Sequence, residues 1–184
     1  MIKLLNVLIA LFLFIPSVAS AKWYDVHLIR VVDGDTVEMG SNSSSKTFMC
    51  RLYGIDAPEL HFQGMAQPYG QESKDFLETS LKKWESFQIQ VKPKDKYGRN
   101  VCRIVKVIDN IPFDFNWNQV RQGYAWAYKS YLSRPYASLY IKAEEQARED
   151  KLGLWQDANP TPPWEFRSNK KLHSKSEYIM LITK

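Results

Sequence analysis

The chain of 184 residues has few of the side chains that build thiolate or histidine metal centres. Its two cysteines cannot supply the four thiolates of a structural zinc site. Its three histidines, His27, His61 and His173, are scattered along the sequence. We therefore expect neither a histidine-based zinc centre nor a catalytic histidine. The sequence also has no internal repeat, which excludes the repeat architectures.

Long apolar runs are missing everywhere except at the N-terminus. After a positively charged start, the run from Leu4 to Phe14 is almost wholly apolar, and Ala19-Ser20-Ala21 forms a small-residue cleavage site. This order predicts a secretory signal peptide over residues 1–21 and a protein that is secreted or periplasmic. The alternative is a membrane anchor, but a spanning helix needs roughly 20 apolar residues. We expect no stable membrane association after cleavage.

The charge is basic, with a formal net charge of +5 at pH 7. Lysine and arginine attract phosphates over long distances, so a basic exported protein often binds a polyanion. A charge of this size is also ordinary for a protein surface. The composition therefore favours a nucleic-acid partner without excluding others.

Apolar periodicity predicts strands first and helices later. The predicted strands are Val26–Val32, Thr36–Met39, Thr47–Tyr53, Phe87–Val91 and Asn100–Val107. The predicted helices are Tyr69–Trp84, Trp117–Gln122 with Asn116 as its cap, and Tyr136–Lys151. This order predicts an α+β fold, a five-stranded OB-type Greek-key β-barrel with about three helices. Residues 22–167 would form this domain, and residues 168–184 a basic C-terminal tail for which disorder is the default expectation.

Three polar clusters lie at the ends of predicted strands. They are Asp33–Thr36 at the first hairpin, Arg51–Glu59 after the third strand, and Asp95–Arg99 at the last turn of the barrel. Each alone would be an ordinary turn or a solvated charge. Together they offer carboxylates for a cation or a general base, and arginines for a phosphate. This combination is what phosphodiester cleavage requires.

The clusters also carry a family resemblance. From about Val26 to Trp155 the chain resembles the staphylococcal nuclease (thermonuclease) family. The resemblance rests on separated motifs in the family's order, namely Val32-Asp33-Gly34-Asp35-Thr36-Val37, Arg51-Leu52 through Asp56-Ala57-Pro58-Glu59, Tyr69-Gly70, Asp95-Lys96-Tyr97-Gly98-Arg99, Val120-Arg121-Gln122-Gly123 and Ala147 through Leu154-Trp155.

The resemblance implies roles for the acidic residues. Asp35 and Asp56 match the family's carboxylate ligands for Ca²⁺, and Ala57 matches a position that offers its backbone carbonyl. Glu59 matches the proposed general base. Asp33 is expected to orient the metal ligands without binding the metal itself, because ligands need orienting partners.

The resemblance also implies how the nucleic acid is bound. Arg51 and Arg99 match the pair that grips the phosphate. Lys96 and Tyr97 match positions near the bound nucleotide. Tyr128 and Tyr131 match tyrosines at the nucleotide pocket approximately, because the spacing around Trp126 departs by one residue.

The two cysteines are expected on neighbouring strands of the barrel. Side chains alternate along a strand, so Cys50 should face the interior if Arg51 faces the site. One expectation is a Cys50–Cys102 disulfide, which an oxidising compartment favours. The other is a pair of buried free thiols that act as small hydrophobic residues.

The sequence as a whole predicts a secreted, calcium-dependent nuclease. The family resemblance implies DNA and RNA substrates, little sequence specificity and 3′-phosphate ends, and we expect a monomer. The alternatives are a catalytically inactive OB module that binds nucleic acid, and an exported OB domain that binds sugar or protein. An inactive module should lack at least one residue of the set Asp35, Arg51, Asp56, Glu59 and Arg99, and all five are present.

Overall fold

The computed structural model describes residues 22–82 and 86–169, which contain eight strands, four α-helices and two short 3₁₀ helices. The strands are β1 (Trp23–Asp33), β2 (Thr36–Ser41), β3 (Thr47–Leu52), β4 (Ile55–Asp56), β5 (Phe87–Lys92), β6 (Val101–Ile108), β7 (Ile111–Asp114) and β8 (Trp126–Ala127). The α-helices are α1 (Gly70–Lys82), α2 (Phe115–Arg121), α3 (Tyr136–Glu149) and α4 (163–169), and the 3₁₀ helices are Lys129–Tyr131 and Gly153–Gln156.

Two of the sequence predictions fall partly or wholly outside these ranges. The predicted signal peptide, residues 1–21, lies outside the described residues. Of the predicted tail, residues 168 and 169 continue α4, and the remainder also lies outside them. In the described ranges, none of the helices combines the length and apolar character that crossing a membrane requires.

Five strands close into a barrel in the order β3-β2-β1-β5-β6. Neighbours in this order are antiparallel, and a parallel pairing of β3 with β6 completes the ring. The prediction of an α+β fold with a five-stranded OB-type barrel is therefore confirmed. The short pairs β6–β7 and β4–β8 were not predicted, because two to four residues are too few to show a period.

Apolar side chains from alternate strand positions fill the barrel, and helices cover its open side. The fully buried residues include Val37, Met39, Leu52, Phe87, Ile89 and Ile104 from the strands, Leu77 and Leu81 from α1, and Tyr140 and Ala143 from α3. Each large apolar side chain buried in this way stabilises the fold by about 1.5–3 kcal/mol. This core fixes the positions of the strand ends, and the polar clusters lie at those ends.

Asn116 has a different role from the predicted helix cap. The cap of α2 is Asp114, whose side chain accepts a hydrogen bond from the backbone N–H of Asn116 at 3.0 Å. Asn116 is fully buried, and its amide donates to the backbone carbonyls of Tyr53 (3.1 Å) and Cys102 (3.0 Å). Its side-chain oxygen accepts from the backbone N–H of Ile104 at 3.0 Å. One side chain thus joins the end of β3 to β6.

The two cysteines lie on the two strands that close the barrel. Cys50 and Cys102 are both buried, as strand alternation predicts for Cys50. Their sulfur atoms are bonded in the structure, with Cα atoms 6.0 Å apart, and none of the described cysteines is free. A disulfide between residues 52 positions apart lowers the entropy of the unfolded chain. In the chain-entropy model this stabilises the folded state by about 4 kcal/mol. The disulfide and Asn116 therefore reinforce the same seam.

Candidate active site

The turn between β1 and β2 presents Asp35 to the end of the barrel. The backbone N–H of Asp35 donates to the Asp33 carboxylate at 3.0 Å, which fixes the turn. The Asp35 carboxylate accepts a hydrogen bond from the backbone N–H of Ala57 at 2.7 Å. Asp33 thus orients Asp35 through the backbone, and Asp35 links the first polar cluster to the second.

Helices α1 and α2 also contact this turn. A side chain at Gly34 would overlap that of Ser73 on α1, so only glycine allows this close approach. The buried side-chain amide of Gln119 on α2 donates to the Gly34 carbonyl at 3.0 Å and to the Ser73 carbonyl at 2.8 Å. The turn is therefore fixed by tertiary contacts as well as by its own hydrogen bonds.

Arg51 at the end of β3 lies between the two predicted metal-binding aspartates. One guanidinium nitrogen contacts the Asp35 carboxylate, and Nη2 lies 2.7 Å from Oδ1 of Asp56. All three side chains are at most 11 % exposed. Because they are shielded from water, these ion pairs hold the two carboxylates in place more firmly than surface pairs would.

Glu59 lies on the loop that follows β4, and the backbone of that loop is well fixed. The Gln67 side chain accepts from the Glu59 N–H at 3.1 Å, and the Gln67 N–H donates to the Glu59 carbonyl at 2.8 Å. Gly70 packs so closely that an added side chain would lie 2.5 Å from the Glu59 carbonyl oxygen. The Glu59 side chain is 22 % exposed and faces the cavity, while these contacts fix its backbone.

Arg167 on α4 is a site residue that the sequence did not predict. Its Nη2 lies 2.7 Å from Oδ2 of Asp56, its Nη1 lies 3.2 Å from Oδ1, and Nη1 also contacts the Glu59 carboxylate. It is 108 residues from Glu59 in sequence and belongs to no motif. The signal in the sequence that could have located it is the pair of aromatic residues in its segment, Trp164 and Phe166. Trp164 packs parallel to Tyr128, with ring centroids 5.5 Å apart.

The carboxylates of the site are shifted by burial. Burial raises the pKa of Asp35 to about 6, against the opposing attraction of Arg51. Burial also raises the pKa of Asp56 and of Glu59, while Arg167 works in the opposite direction on both. Among residues 22–82 and 86–169, the arginines that contact these carboxylates are Arg51 and Arg167, against the four acids Asp33, Asp35, Asp56 and Glu59. The excess of negative charge favours a bound cation.

The shifted pKa of Asp35 predicts how the metal-free protein responds to pH. The folded state holds this proton more tightly than an unfolded chain with a pKa of 3.8, so the associated stability is full below about pH 4 and is lost as pH rises to about 6. Asp35→Asn stays neutral and should gain melting temperature relative to the wild type across that window. Thermal unfolding in EGTA at pH 4, 5, 6 and 7 measures this difference. A difference that stayed constant with pH would contradict the raised pKa.

Arg99 and its neighbours form the outer rim of the cavity. The Arg99 side chain is 51 % exposed, and its Nε lies 2.6 Å from the Asp95 carboxylate. Asp95 also accepts from the backbone N–H groups of Tyr97 and Arg99, both at 2.9 Å, which fixes the turn. Tyr97 is 71 % exposed, with the Lys96 ammonium 5.1 Å from its ring centroid. These side chains are thus available to a large ligand.

Tyrosines also line the cavity. The rings of Tyr128 and Tyr131 have centroids 4.7 Å apart, and Tyr131 is 45 % exposed. Tyr128 contacts both Tyr131 and Trp164, and Trp164 lies parallel to it. The exposed ring of Tyr131 therefore offers a stacking surface to an unpaired base.

One cavity of about 740 Å³ brings the site together. Its lining contains every residue predicted for the site other than the cysteines, namely Asp33, Asp35, Arg51, Asp56, Ala57, Glu59, Lys96, Tyr97, Arg99, Tyr128 and Tyr131, together with Arg167. The carboxylates and Arg51 lie at the base, and the exposed basic and aromatic side chains lie at the rim. This arrangement suits a phosphate at the base and nucleosides at the rim.

The donor set at the base fits a hard cation. Asp35 and Asp56 offer carboxylate oxygens and Ala57 a backbone carbonyl, the ligand types that Ca²⁺ prefers. Over residues 22–82 and 86–169, no group of three His, Cys, Asp or Glu side chains is arranged to hold a metal ion. A cation held here would consequently need further oxygens from water or from a substrate phosphate.

Comparisons with known proteins agree with this geometry. Residues 49–157 match the model of the family described as staphylococcal nuclease homologue, more than half of the chain. A Haemophilus influenzae protein named uncharacterized endonuclease is 32 % identical over 176 residues, covering 96 % of this chain and 91 % of that protein. An Escherichia coli O157:H7 protein with the same name is 36 % identical over 166 residues, covering 88 % and 96 %. The micrococcal nuclease of Shigella flexneri is 31 % identical over 161 residues, covering 84 % and 87 %. The chain therefore belongs to the staphylococcal nuclease family of hydrolytic enzymes.

Proposed function

We propose that this protein is an exported, calcium-dependent nuclease that cleaves DNA and RNA with little sequence specificity and leaves 3′-phosphate ends. The observation that carries the proposal is the convergence of Asp35, Asp56, Glu59 and Arg51 at the base of one cavity. The signal-like pattern of residues 1–21 supports export to the periplasm or the medium. The family membership supports the nuclease chemistry.

The arginines bind the phosphate in this proposal. A guanidinium presents a planar fork of donors that matches two phosphate oxygens and stays charged at every working pH. Arg51 is oriented by Asp35 and Asp56, so its fork is fixed before substrate binds. Arg99 reaches inward from the rim, which requires it to exchange its contact with Asp95 for the phosphate. Calcium, when bound to Asp35, Asp56 and the Ala57 carbonyl, would supply further positive charge and acidify nearby water.

Glu59 accepts the proton of the attacking water. Its burial raises its pKa toward neutrality, which makes it a stronger base than an ordinary glutamate. As the water oxygen bonds to phosphorus, its proton passes to the Glu59 carboxylate. The bond between phosphorus and the 5′ oxygen breaks, and that oxygen takes up a proton. The products are a 3′-phosphate and a 5′-hydroxyl.

The rim supports broad substrate use. Tyr97 and Tyr131 are exposed and offer ring faces, and every base has a π-face that can stack on them, while Tyr128 supports the ring of Tyr131. Reading a particular base would instead require donors and acceptors directed at base edges. Aromatic stacking together with phosphate binding therefore favours single-stranded DNA and RNA of any sequence.

The proposal is tested by cleavage assays on the purified chain from residue 22 onward. We expect cutting of fluorescent single-stranded DNA and RNA with calcium, none in EGTA, and recovery when calcium is restored. Product 3′ ends should resist extension by a terminal transferase until a phosphatase has acted. Asp56→Asn should bind oligonucleotides but not cut them.

Other outcomes would redirect the assignment. Cutting that persisted in EGTA would contradict the calcium requirement. Salt-sensitive binding without cutting, under all metal conditions, would identify an inactive nucleic-acid-binding module. Free 3′-hydroxyl ends would show that the bond between phosphorus and the 3′ oxygen is broken instead.

A further inference from the structure

The Arg167 guanidinium contacts Asp56, one of the two carboxylates to which a divalent cation is proposed to bind. Its guanidinium nitrogens pair with both carboxylate oxygens of Asp56, at 2.7 Å and 3.2 Å, and one of them also contacts Glu59. A planar guanidinium paired with both oxygens of one carboxylate is among the strong side-chain contacts in proteins. A divalent ion on Asp56 must compete with it.

Asp56 has no oxygen free of an arginine in this arrangement. Oδ1 also lies 2.7 Å from Nη2 of Arg51, so Arg51 and Arg167 together contact both oxygens. Arg51 is 11 % exposed and is also held by Asp35, whereas Arg167 is 27 % exposed and faces the open cavity. Arg167 is therefore the arginine that yields to a cation.

The helix that carries Arg167 is anchored independently of Asp56. Trp164 stacks on Tyr128 and makes an edge contact with Trp126 at 5.6 Å between centroids. The Gln67 side chain donates to the Thr161 carbonyl at 2.6 Å, just before the helix. If the guanidinium leaves Asp56, it consequently stays at the cavity, beside the aromatic rim.

We propose that Arg167 has two successive partners: Asp56 and Glu59 in the metal-free enzyme, and a phosphate of the bound nucleic acid once a divalent cation has taken its place on Asp56. It is thus a third phosphate-binding arginine, contributed by the C-terminal helix. This inference rests on the proposed function, because it requires a cation site and a polyanionic substrate. It also predicts that replacing Arg167 strengthens calcium binding and raises the KM for nucleic acid.

The test measures both affinities for the chain from residue 22 onward and for Arg167→Ala. Calorimetric titration with calcium, without nucleic acid, should give a several-fold lower Kd for the variant, because the competing guanidinium is gone. The KM for single-stranded DNA should rise about tenfold or more, as expected for the loss of a hydrogen-bonded charge. Arg167→Lys keeps the charge and should be intermediate in both. Arg30→Ala, which removes an arginine that is 59 % exposed on β1, is the control and should change neither.

The alternatives give other patterns. If Arg167 only supported the fold, calcium and DNA would both bind more weakly, with a lower melting temperature. If it only blocked the site, KM would fall or stay constant as calcium affinity rose. Either result, or unchanged calcium affinity, would overturn the inference. Failure of the proposed function would look different, since the wild type itself would then show no calcium binding or no cutting.

Discussion

Glu59→Gln is expected to lower kcat by about 10²- to 10⁴-fold, the usual contribution of a general base. Glutamine keeps the size of the side chain and an oxygen that accepts from Arg167, but its amide cannot take a proton from water. The backbone contacts with Gln67 are unaffected, so KM and the melting temperature should stay near the wild-type values. Steady-state cleavage of single-stranded DNA with saturating calcium measures the effect.

The control for this substitution is Glu72→Gln. Glu72 is an exposed acid in the first turn of α1 and is not part of the cavity lining, so its loss should leave kcat unchanged. Wild-type turnover in Glu59→Gln would show that another group receives the proton. A large rise in KM with unchanged kcat would instead assign Glu59 to substrate binding.

Arg51→Lys should lower kcat/KM by about 10²-fold or more, comparable to the loss of a fixed donor in an oxyanion site. The guanidinium contacts Asp35 and Asp56 at the same time and keeps its fork fixed at the base of the cavity. A lysine ammonium is a point charge on a flexible chain, so it cannot reproduce this geometry. The change therefore preserves the charge, and the loss in kcat/KM reports the guanidinium geometry, both toward the phosphate and in positioning Asp35 and Asp56.

Arg30→Lys is the matched control for Arg51→Lys. Arg30 pairs with Glu38 at 2.8 Å, but its side chain is 59 % exposed and lies away from the cavity. Exposed pairs contribute about 0–1 kcal/mol, so activity and stability should both remain near wild type. If Arg51→Lys were also within twofold of the wild type, a charge at the base of the cavity would be sufficient for catalysis.

The fold was predictable because its signals are local. Alternation located the five barrel strands to within three residues at each end, and Asp33-Gly34 marked the first hairpin. The short strands β4 and β8 exist only because Ile55 and Asp56 pair with a distant segment. On α3, Leu139 is 55 % exposed although Tyr140 beside it is buried, because consecutive helical residues lie about 100° apart, so apolar character alone does not place Leu139 in the core.

The site was predictable where it is built from motifs and unpredictable where it is built from tertiary contacts. The strand-end clusters carry the family's motifs, so the resemblance alone proposes roles for Asp35, Asp56 and Glu59. Arg167 carries no motif and reaches the cavity only because Trp164 packs on the barrel. Asn116 looked like a helix cap because that is the commonest use of asparagine before a helix, and its bridging role depends on strands far away in sequence.

The bridge made by Asn116 has a consequence for the time at which the enzyme becomes active. Every carboxylate and arginine assigned to cleavage from the sequence lies before position 100, yet β3 is joined to β6 by a side chain that is synthesised later. A growing chain that has not reached α2 contains the five barrel strands but lacks Asn116, which joins the end of β3 to β6, and Gln119, which holds the turn that carries Asp35. On the proposed function, we expect such a chain not to cut RNA, including the messenger RNA from which it is being translated. We expect cutting to begin only after α2 has folded onto the strands and these contacts have formed.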